Sequence, residues 1–389
     1  MIIQLVDKKM SSDECYRKSN NGGDLLQMVQ HKFLRKSVKL LRLAVPAVIA
    51  ISITFAYSFV NIAYADKLEN SVPMLAGIGV SNILINGLWF TTFNGFSGPL
   101  QTMVSQASSR GDYQHCSSVL RAALVVLVLL YIPLGLILYK IDWVMGESLL
   151  NVDAESLKYA ITYTRTVMVG YFFEAIYDLE KKYLLQFGNA LFPMLIQFVT
   201  LPLHVIFVQT MYDTWPDSLF GIAMAKNVSF FLNFLILHVY LAFVTRQPYR
   251  FSLFGERSIT ALLASVREYL RLGLPSALMT YFDFWIFTIL LFLASYLGVV
   301  SNAAQVILFN IACATYAVGL GFGQAVCTLV GNNIGRGQVL KAKAYVAIGM
   351  ILMQSLNFVF SLVFLFATDS VITIYSSDPD AIAAARLPL

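Results

Sequence analysis

Nine runs of mostly apolar residues follow one another along the chain, separated by short polar segments. A helix needs about 20 such residues to cross the ~30 Å hydrocarbon core of a bilayer. Helices are expected because lipid cannot satisfy open backbone groups, and because the runs are too long for the strands of a membrane barrel. The predicted spans are residues 42–64, 76–100, 118–140, 155–178, 190–212, 219–244, 270–297, 303–331 and 341–368.

The composition agrees with an all-α, polytopic transmembrane bundle. Apolar residues make up 58% of the chain and charged residues 13%, and the mean hydropathy is +0.69. A soluble domain carries about 25% charged residues. The four cysteines have no paired or metal-ligand spacing, so neither a disulfide nor a bound metal is expected. The first 23 residues are polar and contain no signal-peptide core.

Basic residues are distributed unequally between the two sides that these spans define. With the amino terminus inside, the cytoplasmic segments hold 21 basic residues, whereas the outer segments hold Lys67, Lys140 and Lys158. This asymmetry predicts a cytoplasmic amino terminus. The net charge of +5 is therefore explained by topology and by contact with anionic lipid, and no nucleic-acid partner is expected.

Two stretches place apolar residues on one helical side and basic residues on the other. They are residues 24–42, before the first span, and residues 259–271, before the seventh. Both are predicted to be interfacial helices on the cytoplasmic surface, with a short solvated linker as the alternative. Residues 245–258 are predicted to link two lobes.

An internal repeat relates the two parts of the chain. Six of the eighteen residues in 95–112 recur in 321–338, at an offset of 226, and the pattern of 42–46 recurs in 271–275, at an offset of 229. Duplicated halves are typical of secondary transporters, whose site lies where the halves meet. The repeat predicts an amino-terminal arm (1–41), a six-helix lobe (42–244), a linker (245–269) and an incomplete lobe of three spans and a stub (270–389). A fragment or truncated product is the favoured explanation, and a family that tolerates a half-lobe is the alternative.

Several motifs carry a family resemblance from about residue 40 to the end. They are Leu41-Arg42-Leu43-Ala44-Val45-Pro46, Ser105-Gln106-Ala107 with Gly111-Asp112-Tyr113, Arg271-Leu272-Gly273-Leu274-Pro275 followed by Asp283-Phe284-Trp285, and Val330-Gly331-Asn332 with Gly335-Arg336-Gly337. In combination they resemble the multidrug and toxic compound extrusion (MATE) transporters, the eukaryotic branch most closely.

The resemblance implies an antiporter of two six-helix lobes that exports small organic, often cationic, compounds in exchange for H⁺ or Na⁺. It implies no cofactor beyond the coupling ion, a monomer, and a plasma or organellar membrane. Asp283 stands where eukaryotic members have the span-seven acid tied to proton coupling, and Thr288 replaces a second acid. Asn61 and Gln101 stand where bacterial members commonly have acidic residues.

Asp283 is the principal candidate for carrying the exchange. A charged Asp at the centre of a span costs roughly 2.5–3.5 kcal/mol, so it should face a cavity or carry a proton. Tyr281, Trp285 and Tyr316 are candidates for cation–π contacts with an organic cation. The alternative is a structural Asp hydrogen-bonded to a neighbouring helix.

Four further ionisable residues lie in or near the predicted spans. Glu174 and Asp178 share one face of span four, Glu174 as a functional candidate and Asp178 either as one or as part of an interfacial salt bridge. His204 is interpreted as either a hydrogen-bonded core histidine or a proton relay. Lys226 and Arg165 are expected to reach the interface or to pair with loop carboxylates.

Two other functions remain open. A lipid or saccharide flippase of the same superfold would have a strongly basic cavity, and a truncated membrane protein would have no transport activity. No catalytic motif is visible, so an enzyme is not expected.

Overall fold

The computed structural model describes residues 22–68, 71–140, 142, 154–216, 218–244, 258–296, 299–373 and 379–386. Residues 1–21 of the predicted amino-terminal arm and residues 245–257 of the predicted linker lie outside these ranges. The side chain of Thr288 is also outside the described set, although its backbone is helical. Throughout the described ranges the chain is helical and contains no strand, which confirms the predicted all-α class.

Every predicted span falls on a helix. The helices are α1 (Gly22–Ala65), α2 (Ser71–Leu84), α3 (Thr91–Arg110), α4 (Tyr113–Tyr139), α5 (Ala154–Gln186), α6 (Leu191–Thr214), α7 (Leu219–Val239), α8 (Ile259–Tyr296), α9 (Val299–Gly335), α10 (Val339–Ile372) and α11 (Pro379–Arg386). Seven described segments are long and apolar enough to cross a membrane. The other two predicted spans lie on α5 and α8, which are not among these seven segments. In α5, tyrosines, threonines and charged residues interrupt the apolar run.

The two predicted interfacial segments are helical, but each is continuous with the span that follows it. Residues 24–42 are the beginning of α1, and residues 259–271 are the beginning of α8. No proline occurs in either helix before Pro46 or Pro275, so nothing interrupts the backbone hydrogen bonds between the basic stretch and the apolar one.

The second span contains a π-helical turn, Ile85–Phe90, between α2 and α3. A π turn holds one more residue than an α turn and changes the direction of the side chains after it. The Thr91 hydroxyl donates to the Asn86 carbonyl at 2.9 Å, and the Thr92 hydroxyl donates to the Leu88 carbonyl. These hydroxyls therefore satisfy carbonyls where the regular helical ladder is disturbed.

The chain divides into two compact units. The first unit comprises residues 49–104 and 112–284, and the second comprises residues 1–48, 105–111 and 285–389. The core of the first unit includes Ile53, Tyr57 and Phe230, whereas a core cluster of the second includes Ile311 and Ile372. The lobe boundaries inferred from the repeat stay a prediction.

The repeat seen in the sequence is also seen in the backbone. Gly111 and Gly337 both have a positive φ, 81° and 70°, and both donate their amide to the carbonyl three residues earlier. The conformation is accessible to glycine at little cost. Each glycine therefore follows the end of its helix, α3 or α9, in the same left-handed turn.

Candidate functional site

A hydrogen-bonded group of neutral polar side chains lies within the apolar helices of the first unit. His204 of α6 contacts Asn61 of α1 through Nε2 and Oδ1 at 3.0 Å, and Ser229 of α7 through Nδ1 and Oγ at 2.9 Å. Asn61 donates in turn to the Tyr163 hydroxyl at 3.0 Å. In the neutral tautomer with the proton on Nε2, imidazole donates to Asn61 Oδ1, and Nδ1 faces the Ser229 hydroxyl, which also donates to the Ala225 carbonyl at 2.9 Å.

A second layer lies one turn away on the same three helices. Tyr57 and Thr200 share a hydrogen bond of 2.7 Å between their hydroxyl oxygens, and Asn233 donates to the Tyr57 hydroxyl at 3.2 Å. Each helix therefore supplies residues four positions apart, and residues at this spacing share one helical face. The pairs are Tyr57 with Asn61, Thr200 with His204, and Ser229 with Asn233.

Lys226 of α7 is fully buried, so the expectation that it reaches the interface or pairs with a loop carboxylate was wrong. Its Nζ donates to Ser58 Oγ at 2.9 Å and to Tyr171 Oη at 2.8 Å. It also lies 4.8 Å from the centroid of the Tyr171 ring and 5.6 Å from that of Phe230. The Lys226 ammonium is therefore stabilised by hydroxyl oxygens and aromatic ring faces instead of by lipid headgroups or water. Arg165 behaves as expected, with its guanidinium 3.1 Å from Asp142.

Glu174 lies one turn along α5 from Tyr171 and is also buried, with 8% of its surface exposed. Its Oε2 has no hydrogen-bond partner in the described structure. An ionised carboxylate in such a position costs several kcal/mol unless it is paired. Within the described ranges, Glu174 is therefore a buried acid that forms no ion pair.

Asp178 belongs to a cluster of charged groups at the end of α5. Its carboxylate contacts Lys181 at 2.9 Å and Lys182 at 2.6 Å, which is the salt-bridge role weighed for it from the sequence. The Lys182 ammonium also donates to Asn94 Oδ1 at 2.9 Å and to Ser97 Oγ at 2.7 Å on α3. Asp178 is therefore held in a structural network.

The span-seven candidates are placed differently from these buried groups. Asp283 and Trp285 are exposed on α8, and Tyr316 is exposed on α9. The Tyr281 hydroxyl is hydrogen-bonded to the Thr92 hydroxyl of α3, in the first unit. Gln101 is buried on α3, with 9% of its surface exposed.

Sequence reasoning missed most of the network around His204. It singled out His204 and Asn61, but not Tyr57, Tyr163 or the Lys226 contacts. The available signal was the recurrence of polar residues at a spacing of four in spans one, five and six. That spacing identifies a shared face on each helix, but it does not identify which helices meet.

Together, the apolar helices and the ionisable groups within them define an integral, multi-pass membrane protein with polar side chains inside its helical bundle. Such groups within membrane helices characteristically mark substrate or ion pathways. The family model described as MatE matches residues 46–210 and 275–388, which is more than half of the chain. The chain belongs to the MatE family.

Relatives and solved structures agree with this assignment. The chain is 28% identical over 364 residues to rabbit (Oryctolagus cuniculus) Multidrug and toxin extrusion protein 1, covering 92% of this chain and 61% of the rabbit protein. It is 25% identical to Protein DETOXIFICATION 1 of Arabidopsis thaliana, covering 80% of this chain and 64% of that protein. The chain thus spans about three fifths of the length of these curated relatives.

The fold agrees with that of the eukaryotic MATE transporter AtDTX14, with a TM-score of 0.83. The match covers 91% of this chain and 78% of that one at 22% identity. A MOP superfamily transporter from Pyrococcus furiosus has the same fold, with a TM-score of 0.77 at 18% identity. These likenesses establish the architecture as that of the MATE transporters.

Proposed function

We propose that this chain is part of an efflux antiporter that exchanges small organic compounds, often cationic, for protons across a membrane. The family match over both repeated parts of the chain supports transport, since the matched relatives are named for multidrug and toxin extrusion. Sodium is the alternative coupling ion. The proposal includes a monomer with a cytoplasmic amino terminus and no bound cofactor.

The observation that carries the proposal is the position of Asp283. Its side chain is accessible in the middle of an apolar helix, at the position that resembles the proton-coupling acid of eukaryotic members. An accessible carboxyl group can bind either a proton or an organic cation, and each excludes the other. Such competition for one negative charge is the simplest basis for exchange.

Uptake of a fluorescent organic cation into proteoliposomes under an imposed pH gradient tests this function. We expect Asp283→Asn to abolish pH-driven uptake at normal expression and folding. The matched control is Asp369→Asn, because Asp369 is an exposed acid that pairs with Arg386 at the end of α10. Normal uptake by Asp283→Asn would refute the proposed role of this carboxyl group.

A sodium gradient in place of the pH gradient separates the two coupling ions. Uptake of a lipid-linked saccharide or of a labelled lipid, without uptake of the cation, would instead support a flippase. The absence of every activity from a folded, reconstituted chain would support a membrane protein without transport activity.

A further inference from the structure

One face of the first part of α1 is apolar and exposed. Leu34 and Val38 are 60% and 62% exposed, and the exposed residues continue with Leu41, Val45 and Ile49. These five residues, which we call the apolar row, are three or four positions apart and therefore lie on one side of the helix. In a helix that enters a membrane, such a side contacts the acyl chains of lipids.

Basic side chains line the adjacent face of α1. Arg35, Lys39 and Arg42 are exposed, and each follows a residue of the apolar row by one position. One position is a rotation of about 100° around the helix axis. Residues 25–65 contain no Asp or Glu. The charge of these three side chains is therefore not neutralised by any acid in this part of α1.

The length of α1 places two of these charges at the level of the lipid headgroups. The candidate membrane span Gln30–Ala65 has 36 residues, which is about 54 Å of helix, whereas the hydrocarbon core is about 30 Å thick. Counted back from the end of this span, about 20 residues cross the core, which then ends near Pro46. Lys39 and Arg42 lie about 10 and 6 Å further along the helix, so their long side chains reach lipid phosphates.

The internal repeat supplies a comparison within the same chain. At an offset of 229, three exposed residues of the apolar row correspond to exposed leucines of α8, namely Leu263, Leu274 and Leu278. The basic face differs, because Arg35 and Lys39 correspond to Ala264 and Glu268. This stretch of α8 retains two exposed arginines, Arg267 and Arg271. The exposed apolar face thus occurs without the acid-free basic face, so the fold does not require the charges of α1.

We propose that this face of α1 binds an anionic phospholipid, with an acyl chain along Val45 and Ile49 and the headgroup phosphate at Lys39 and Arg42. We call it the α1 lipid site. Lys and Arg near a membrane surface attract anionic headgroups. The apolar row continues from the headgroup level into the hydrocarbon core, and a soluble anion or an acidic protein segment would leave that part uncovered. The inference goes beyond the proposed function and does not depend on it.

Native mass spectrometry of the full chain in detergent tests the inference. The protein is titrated with phosphatidylserine or with phosphatidylcholine of the same acyl chains, and the dissociation constant of each retained lipid is measured. Wild-type protein should bind phosphatidylserine more tightly. Lys39→Gln/Arg42→Gln should weaken phosphatidylserine binding by about 25-fold, because each basic side chain near a membrane surface contributes about fivefold. Phosphatidylcholine binding should not change, and the variant should fold because both residues are exposed.

Lys67→Gln/Lys158→Gln is the matched control for the loss of two positive charges. Both lysines are exposed, and each has an acid within three positions along the chain. This variant should bind phosphatidylserine as tightly as the wild-type protein does.

Ala264→Arg/Glu268→Lys is the complementary variant, because it copies the basic pattern of α1 onto α8. Both positions are exposed, and the equivalent apolar residues are already present. This variant should retain one more phosphatidylserine molecule than the wild-type protein does.

Three results would overturn the inference. The first is equal affinity of the wild-type protein for the two lipids, as expected if an acidic protein segment covers this face instead. The second is undiminished phosphatidylserine binding in a folded Lys39→Gln/Arg42→Gln variant, and the third is an equal loss in the control. If Lys39→Gln/Arg42→Gln does not fold, the α8 variant decides, since no gain of lipid there would show that the charge pattern does not create a site.

Discussion

Lys182 and Ser97 join α5 to α3 in the first unit through a hydrogen bond of 2.7 Å between Nζ and Oγ. The same ammonium contacts Asp178 at 2.6 Å and Asn94 at 2.9 Å, and Lys182 is almost completely buried. One buried charge therefore satisfies three acceptors on two helices. Such a charge specifies how the helices pack, and its removal leaves several polar groups without a partner.

We expect Lys182→Met to lower the free energy of unfolding by about 3 kcal/mol, because it removes one of the two cations that pair with Asp178 and leaves the acceptors of Asn94 and Ser97 without their donor. Lys181→Met is the matched control, since Lys181 bonds to the same carboxylate but makes no contact with Asn94 or Ser97. Its loss should be clearly smaller. Denaturation in mixed detergent micelles measures both, and equal losses would show that the contacts with α3 contribute nothing.

The His204 network leads to a prediction that separates the two interpretations of this histidine. Both ring nitrogens contact neutral partners, Asn61 and Ser229, so we expect a structural role. His204→Phe should lower the free energy of unfolding by about 2 kcal/mol, because it leaves buried polar atoms unsatisfied.

His204→Gln keeps a side chain that can hydrogen-bond but cannot carry a proton at neutral pH. We expect this variant to transport with the pH profile of the wild-type protein. A displaced or flattened profile in a folded His204→Gln variant would instead assign His204 to the proton pathway.

Close packing of α5 against α7 depends on Gly170. A Cβ at this position would lie 2.8 Å from the Cα of Asn227, and the Gly170 amide donates to Asn227 Oδ1 at 2.9 Å. Gly170→Ala should therefore force the helices apart and destabilise the protein by about 1–3 kcal/mol. A thermal unfolding series measures this loss.

Gly79→Ala is the matched control on α2, where a Cβ would meet no atom within 4 Å. Because alanine favours the helix over glycine, this change should stabilise the protein by up to about 1 kcal/mol. Similar effects of the two substitutions would show that the contact at Gly170 does not limit the packing.

The ion pair between Arg165 and Asp142 should contribute little. Its side chains are 34% and 50% exposed, so water screens the interaction. We expect a coupling energy of at most about 1 kcal/mol in a double-mutant cycle of Arg165→Gln and Asp142→Asn. A coupling several times larger would mean that the pair is shielded from water in the membrane-embedded protein.

The sequence predicted the helices well because the thickness of the bilayer determines the length of an apolar run. All nine predicted spans fall on helices. Gly111 and Gly337, which occupy equivalent positions in the sequence repeat, both have a positive φ and form the same left-handed turn. The two basic segments are helical as predicted, but the sequence did not show that each one continues into the following span, in α1 and α8. The amphipathic pattern shows which face of a helix is apolar, but it does not show whether the helix axis bends before the following span.

The arrangement of polar groups was less predictable. Lys226 was expected at an interface because an isolated lysine in an apolar run has no visible partner. Its acceptors are Ser58 and Tyr171, at separations of 168 and 55 residues, and only tertiary packing brings them together. Asp178 was easier to interpret, because its partners lie three and four residues away on the same helix.

The π turn between Ile85 and Phe90 has a consequence for how this part of the chain tolerates change in length. Deleting one residue there lets the segment continue as an ordinary α-helix whose later side chains keep their direction, because the π turn holds the extra residue within a single turn. Forcing the unchanged sequence into an α-helix would instead rotate every later side chain by about 100° and turn Thr92 away from the Tyr281 hydroxyl, its partner on α8. A one-position gap here in comparison with a relative therefore marks the loss of the π turn, with the contacts of the following helix retained.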